Sequence, residues 1–292
     1  MRILITGCGG MLGEAVYAEL KDKYTVYATD IDLNEDWLGY LDVRSTEQVN
    51  KYFKTIEPSA VLHLAALTDM EYCELNPTHA YDVNFMGTHN VVQAANRHDI
   101  QVVYISSAGV FDGKKQIYDE SDIPNPLNVY AQSKYAGELA ALIYPGSTII
   151  RAGWMMGGGP KKDKKFVNKI IKQIRSGAKE LFVVQDKLGT PTYTYELANT
   201  IRHFVEYNIL GTYHGACDGS GSRVDVAKEI VKDLGLSDHI TIKIVNSSHF
   251  KKEYFAKRPY SEKLVSIRNS PWASPSWQDC LKDYLNKFEW KI

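Results

Sequence analysis

The sequence predicts an α/β protein: a Rossmann-type doubly wound parallel sheet with a smaller, discontinuous C-terminal substrate domain. Three observations predict it. Short apolar runs rich in β-branched residues alternate with helical patterns as far as residue 152. The glycine-punctuated segment "TGCGGMLG" (6–13) lies between the first run and the first helical pattern. After Gly153 the alternation stops and a different rhythm begins. Runs that are apolar throughout mark strands buried on both faces, as in parallel sheets covered by helices.

Taken in order, the runs are "RILIT" (2–6), "YTVYATD" (24–30), "AVLHLAA" (60–66), "QVVYISS" (101–107) and "STIIRA" (147–152). Helical patterns separate them, at about 11–22, 45–56, 79–98 and 129–144. These pieces make a dinucleotide-binding domain of residues 1–152, rejoined by about 188–216, where "GTYHGA" is expected to return to the main sheet. The segment "GWMMGGGPKKDKK" (153–165) mixes glycine, proline and lysine and reads as a mobile loop. Its Lys161, Lys162, Lys164 and Lys165 surround Asp163; they fit either a lid that attracts a diphosphate or a solvated charge run. A helix near 165–177, a strand at 181–184 and a helix at 194–207 follow. The tail predicts a helix at 224–234, a strand at 240–245 and a last helix at about 275–287. Residues 153–187 and 217–292 are assigned to a substrate-binding domain over the carboxyl edge of the sheet, where open α/β sheets bind ligands.

Composition narrows the function. The 292 residues are 44% hydrophobic with a formal net charge of -1, so no nucleic-acid or membrane-surface footprint is expected. No apolar run has membrane-spanning length. "RILIT" reads as a core strand from residue 2, which leaves no room for a signal peptide. Cys8, Cys73, Cys217 and Cys280 are far apart, which speaks against a disulfide framework or zinc site and for a reducing cytoplasm. The spacing of Glu71, Cys73, Glu74 and His79 is not that of a metal site, and no metal is expected. His63 lies inside an apolar strand and reads as a packed core histidine.

The glycine segment carries the first chemistry. Gly7 allows a tight turn, Gly10 lets the backbone approach a pyrophosphate, and Gly13 lets the helix pack close to the strand. The free N–H groups at the start of the helix, around Met11 and Leu12, attract phosphate. Asp30 ends the second strand, where a carboxylate accepts from an adenosine ribose and repels a 2′-phosphate. No lysine or arginine stands beside it, so NAD(H) is favoured and NADP(H) is the second choice. Asp42 and Val43 close another apolar run and are placed to flank the adenine.

A second feature lies downstream. In "NVYAQSKYAGE", Tyr130 and Lys134 share a helix face, since residues four apart do. A phenol near pKa 10 is a poor base. A neighbouring ammonium and an oxidised nicotinamide favour the phenolate, and Tyr130 then exchanges a proton with a carbonyl or hydroxyl. Ser107, at a strand end in "YISSAG", is placed to hold the same oxygen, with Ser106 beside it.

With these pieces the chain resembles the extended short-chain dehydrogenase/reductase family. The resemblance rests on "TGCGGMLG", "HLAALTD", "VNFMGTHNVVQAA", "YISSAGVF" and "NVYAQSKYAGE". It implies that Ser107, Tyr130 and Lys134 are the catalytic triad, that Lys134 also binds the nicotinamide ribose, and that Asn84 lines the active site through its backbone and a proton-relay water. It further implies that Ala65, Ala66 and Thr68 line the cofactor. The second half, with "IIRAGWMMGGG", "VVQDKLGTPTYTYELA" and "KRPYSEKL", is similar to the dTDP-4-dehydrorhamnose reductases. That similarity implies a nucleotide-linked 4-keto-6-deoxysugar as substrate, reduced at C4. Trp154 would pack near the sugar and Arg258 near the nucleotide or diphosphate, and a homodimer is expected.

The chain also departs from that subfamily. Where the subfamily reads Ser-Thr-Asp-Tyr-Val-Phe, this chain has Ser106-Ser107-Ala108-Gly109-Val110-Phe111. The hydroxyl at Ser107 is kept, but two polar side chains that would contact the sugar are lost, so Ala108 marks an altered substrate contact. "SSAGVF" equally resembles the nucleotide-sugar 4-epimerases. A non-catalytic NAD(P)-binding regulatory subunit, as in methionine adenosyltransferase, is a further alternative.

Overall fold

The computed structural model describes residues 1–268 and 274–290. The first half alternates as follows: β1 (Arg2–Thr6), α1 (Met11–Leu20), β2 (Thr25–Asp30), β3 (Gly39–Tyr40), α2 (Thr46–Ile56) and β4 (Ala60–His63). Two short helices follow, α3 (Met70–Leu75) and α4 (Pro77–Tyr81), then a π-helical turn over Asp82–Gly87 and α5 (Thr88–Arg97). β5 (Gln101–Ser107), α6 (Val129–Leu142) and β6 (Ser147–Ala152) complete this half. After it come β7 (Trp154–Met156), α7 (Gly159–Lys162), α8 (Phe166–Arg175), β8 (Glu180–Val184), β9 (Leu188–Gly189), β10 (Pro191–Tyr193), α9 (Thr194–Glu206) and β11 (Gly211–Gly215). The remainder is β12 (Gly221–Ser222), α10 (Arg223–Asp233), β13 (Thr241–Val245), β14 (Ser261–Glu262) and α11 (Trp277–Lys287).

Among the described residues the central sheet has seven parallel strands in the order β3-β2-β1-β4-β5-β6-β11. The chain direction across the sheet reverses between β1 and β4, and that switch opens a crevice at the strands' carboxyl ends. Alternate residues of β1 explain the continuous apolar runs. Ile3 and Ile5 pack in one core with Val16 of α1 and Ile201 and Phe204 of α9. Leu4 packs in the opposite core with Phe53 of α2, Val91 of α5 and Tyr104. Both faces are thus covered by helices.

A separate apolar core lies above the crevice. It joins Ile170 and Ile174 of α8, Leu181 and Val183 of β8, Ile230 of α10, and Trp277 and Tyr284 of α11. Small sheets pin it: β8 with β13, β7 with β10, and β12-β9-β14. α10 begins on a capping box in which Ser222 and Asp225 satisfy each other's backbone N–H.

Three expectations are corrected. The third run ends as a strand at His63, and Leu64 onward turns away to line the crevice. The predicted single helix at 79–98 is broken by the π-turn. The segment 153–165 is not a mobile loop. It supplies β7 and α7, and Lys162 and Asp163 are buried. Lys162 pairs with Glu35 at 3.0 Å and Lys161 pairs with the same carboxylate at 2.8 Å, so the lysines tie this segment to the region after β2.

Candidate active site

The glycine segment is built by steric necessity at two positions. Gly7 turns the chain with φ +71, and a Cβ there would lie 2.4 Å from the Ala65 backbone. A Cβ on Gly13 would lie 2.3 Å from the Cys8 carbonyl, so helix and loop meet at backbone distance. Gly10 differs: its nearest neighbour to an added Cβ is 3.6 Å away, and it faces the crevice. It is also the N-cap of α1 and offers no side chain to the helix's first N–H groups. Those donors face a cavity of about 1260 Å³ lined by Gly7, Gly10, Met11, Leu12 and Gly13. This is a cradle for phosphate, and the cavity exceeds what one drug-sized ligand fills.

Asp30 stands at the end of β2. Its carboxylate accepts from the N–H of Gly9 at 2.9 Å and from that of Asp32 at 3.1 Å, so it shapes the loop while lining the cavity. The Asn34 amide donates to the Gly9 carbonyl at 3.3 Å from the other side. Asp42 and Val43 line the same end. Arg44 holds Asp42 at 2.7 Å and keeps its carboxyl below the usual range. Ala65, Ala66 and Thr68 form the opposing wall.

The chemistry sits where β5 ends. Ser106 lines the cavity and donates to the buried Glu138 at 2.8 Å. Ser107 caps a short 3-10 turn by accepting from the Gly109 N–H at 3.1 Å. α6 starts at Asn128, whose side chain accepts from Ala131 N–H and donates to the Lys257 carbonyl, each at 2.8 Å. Tyr130 and Lys134 follow one turn apart and both line the cavity. Burial pushes the Tyr130 phenol up to about 12, and hydrogen bonding with Ser107 offsets part of that rise. Burial also brings the Lys134 ammonium down to about 7, with its Nζ 4.2 Å from the Tyr104 ring centre. In the protein alone, without the nicotinamide, Lys134 does not lower the phenol, and burial dominates. At neutral pH Tyr130 is a protonated acid.

Asn84 turns its side chain away from the cavity. Its fully buried side chain accepts from Leu67 N–H at 2.8 Å and donates to Ser133 Oγ at 2.9 Å. It stitches the cavity wall to α6 from within the π-turn. Ala108 is not at the substrate face either. It is buried among Val110, Phe111, Tyr118 and Leu264, because the 3-10 turn directs it into that core.

The far wall holds Trp154, Arg223, Arg258 and Glu262. Trp154 donates through Nε1 to Glu262 Oε2 at 2.8 Å. The Arg223 guanidinium stacks on the Trp154 ring at 3.6 Å and faces Phe166 at 4.9 Å. Arg258 makes a two-pronged ion pair with Glu71, at 2.7 and 2.9 Å. Lys165 reaches Thr68 at 3.3 Å, and burial lowers its pKa.

Sequence reasoning missed Gly9, Asn34, Arg44, Arg223 and Glu262. Gly9 lies inside a recognised motif and Asn34 lies four residues beyond Asp30, so both were within reach. Arg223 and Glu262 carry no local signal, since only the packing of the last third of the chain brings them to the cleft.

The whole chain has relatives of similar sequence and fold. A dTDP-4-dehydrorhamnose reductase of Aggregatibacter actinomycetemcomitans is 31% identical, with 97% of each chain covered. The crystal structure of a dTDP-4-dehydrorhamnose reductase from Yersinia enterocolitica is 39% identical, with a TM-score of 0.88 over 99% of each chain. That of the Bacillus anthracis reductase in complex with NADP is 30% identical, with a TM-score of 0.88 over 98% of this chain and 99% of that one. Methionine adenosyltransferase 2 subunit beta of Danio rerio is 29% identical over 82% of this chain and 76% of its own. The profile of one family spans residues 1–290, both the glycine cradle and the wall above it, and the chain belongs to that RmlD substrate binding domain family.

Proposed function

We propose that the protein is an NAD(P)H-dependent reductase of a nucleotide-linked 4-keto-6-deoxysugar, acting at C4. One observation carries the reading: Tyr130 lines the same cavity as the glycine cradle and Lys134. When bound, the reduced nicotinamide dinucleotide supplies the hydride. Gly10, Met11 and Leu12 hold its phosphates at the α1 N-terminus, and Asp30, Asp42, Val43, Ala65, Ala66 and Thr68 line its adenosine half. Ser107 orients the substrate carbonyl. Tyr130 donates the proton to the carbonyl oxygen. Lys134 binds the ribose and stabilises the phenolate left behind. Trp154 and Arg258 face the sugar nucleotide.

NAD(H) is favoured because Asp30 stands where a 2′-phosphate would meet a carboxylate. NADP(H) is the second choice. Arg44 lines the same end of the cavity, and the Bacillus anthracis relative binds NADP. The cofactor part is residues 1–152 with about 188–216, and the substrate part is 153–187 with 217–292. A cytoplasmic homodimer is part of the same reading. The four free, buried thiols suit a reducing compartment, and light scattering tests the dimer. Among the described residues no helix is long and apolar enough to cross a membrane.

The test is a panel of nucleotide-linked 4-ketosugars with NADH or NADPH, followed by loss of reduced-nicotinamide absorbance. Oxidation with none of them overturns the reading. Isomerisation of a nucleotide hexose without added cofactor would replace it with a 4-epimerase, and cofactor binding with neither activity would replace it with a regulatory subunit.

A further inference from the structure

We propose that Glu262 reads the substrate: its free carboxylate oxygen accepts a hydrogen bond from the sugar hydroxyl next to the reacting carbonyl. The inference rests on the reductase reading and extends it to specificity.

The geometry turns on Gly109. A Cβ at this position would lie 3.3 Å from Ser107 Oγ and 3.5 Å from Glu262 Oε1. The serine hydroxyl and the carboxylate oxygen therefore stand on either side of one point, which the glycine keeps clear of a side chain. Tyr130 and Glu262 both line the cavity beside it.

The carboxylate is held in place for this task. Oε2 is occupied by the Trp154 indole N–H at 2.8 Å. The indole cannot swing, because its ring lies under the Arg223 guanidinium at 3.6 Å and against Gly189, where an added Cβ would come within 2.2 Å. Among the described residues Oε1 accepts no hydrogen bond, and no cation lies within ion-pair distance of either oxygen. An acceptor that is anchored on one oxygen and unused on the other matches a donor brought by the ligand.

Sugar chemistry identifies that donor. If Ser107 holds the oxygen at C4, the next positions on the ring are C3 and C5. In a 4-keto-6-deoxypyranose C5 bears the ring oxygen and the methyl group, so C3 alone carries a hydroxyl beside the carbonyl. Burial raises the Glu262 carboxyl, while the Trp154 N–H and the charges of Arg223, Arg258 and Lys187 favour its ionised form, and a hydrogen bond to an ionised acceptor is among the stronger ones. A site built around it rejects an analogue that lacks the hydroxyl. In this chain the polar contact comes from Glu262, beside the Gly109 backbone.

The experiment compares two nucleotide-linked 6-deoxyhexoses, one with the C3 hydroxyl and its 3-deoxy analogue. Calorimetric Kd values are measured for both, and kcat/KM values for the matching 4-ketosugars. The wild-type protein should favour the hydroxyl form by about 10- to 100-fold. Glu262→Ala should bring that ratio close to one while the dinucleotide Kd stays unchanged, and Glu262→Gln should fall between. A wild type that does not discriminate, or an alanine variant that keeps the wild-type ratio, overturns the proposal. A general loss of structure would weaken both ligands alike and leave the ratio alone. If no ketosugar turns over, the reductase reading fails, and the Kd ratios still decide the role of Glu262.

Discussion

Arg151 and Glu138 form an ion pair that is closed to solvent, with side-chain exposures of 6% and 0%. Arg151 lies on β6, and Glu138 lies on α6 one turn beyond Lys134. Glu138 also takes the Ser106 hydroxyl from the end of β5. One buried carboxylate thus fixes the helix that carries Tyr130 and Lys134 against the two strands that frame the site.

Removing that carboxylate leaves a guanidinium buried without its partner. Glu138→Ala should cost about 3–5 kcal/mol, read as a shift in the urea midpoint. Any loss of activity in the surviving folded fraction then reports misplacement of α6. An unchanged midpoint would mean that the pair contributes nothing.

The two glycines at either end of the turn should separate folding from binding. Gly13→Ala forces a Cβ to within 2.3 Å of the Cys8 backbone and should lower the melting temperature strongly. Gly10→Ala meets nothing closer than 3.6 Å and should melt as the wild type does. Its methyl group instead enters the cradle and should weaken dinucleotide binding in a fluorescence titration. Equal melting temperatures for the two variants would contradict the geometry.

His63 should make the fold acid-sensitive. It is fully buried between Thr6 at 2.7 Å and Thr88 at 3.0 Å, and burial lowers its pKa from 6.5 to about 3. Between those values the unfolded chain binds the proton and the folded chain does not. Stability therefore falls as pH drops from 6.5 towards 3, and is unaffected by this group above 6.5. Urea titrations at pH 7.5 and 4.5 measure the loss, and His63→Asn should reduce the difference between them.

Tyr130→Phe should lower kcat by about 100- to 10,000-fold, the usual worth of a general acid, while leaving dinucleotide affinity in place. Lys134 adds a pH signature. Its folded pKa of about 7 lies below the ordinary 10.5, so the unfolded chain holds more protons across that interval. In the protein without cofactor, the cost of burying it is full below pH 7 and fades as pH rises to 10.5. Lys134→Met should flatten that part of the stability profile. A profile unchanged by the substitution would show that the lysine is not desolvated.

Much of this protein is legible in its sequence because the signals are local. Continuous apolar runs report strands covered on both faces, and β1 shows why: Ile3 and Leu4 face opposite cores. Gly7 and Gly13 are read from spacing because a strand–turn–helix of this tightness leaves no room for a Cβ. Tyr130 and Lys134 are read from the helical period. What the tertiary structure decides is whatever depends on segments distant in the chain. It buries Ala108, withdraws Asn84 into a scaffold, and orders the lysine-rich segment by pairing it with Glu35. It brings Glu262 to a place beside Gly109, more than a hundred residues away, where no sequence period reaches. It also sets the ionisation of the pair on α6. Helical spacing states that a lysine faces a tyrosine, but desolvation, which exists only once the chain has closed around them, raises the phenol and lowers the ammonium.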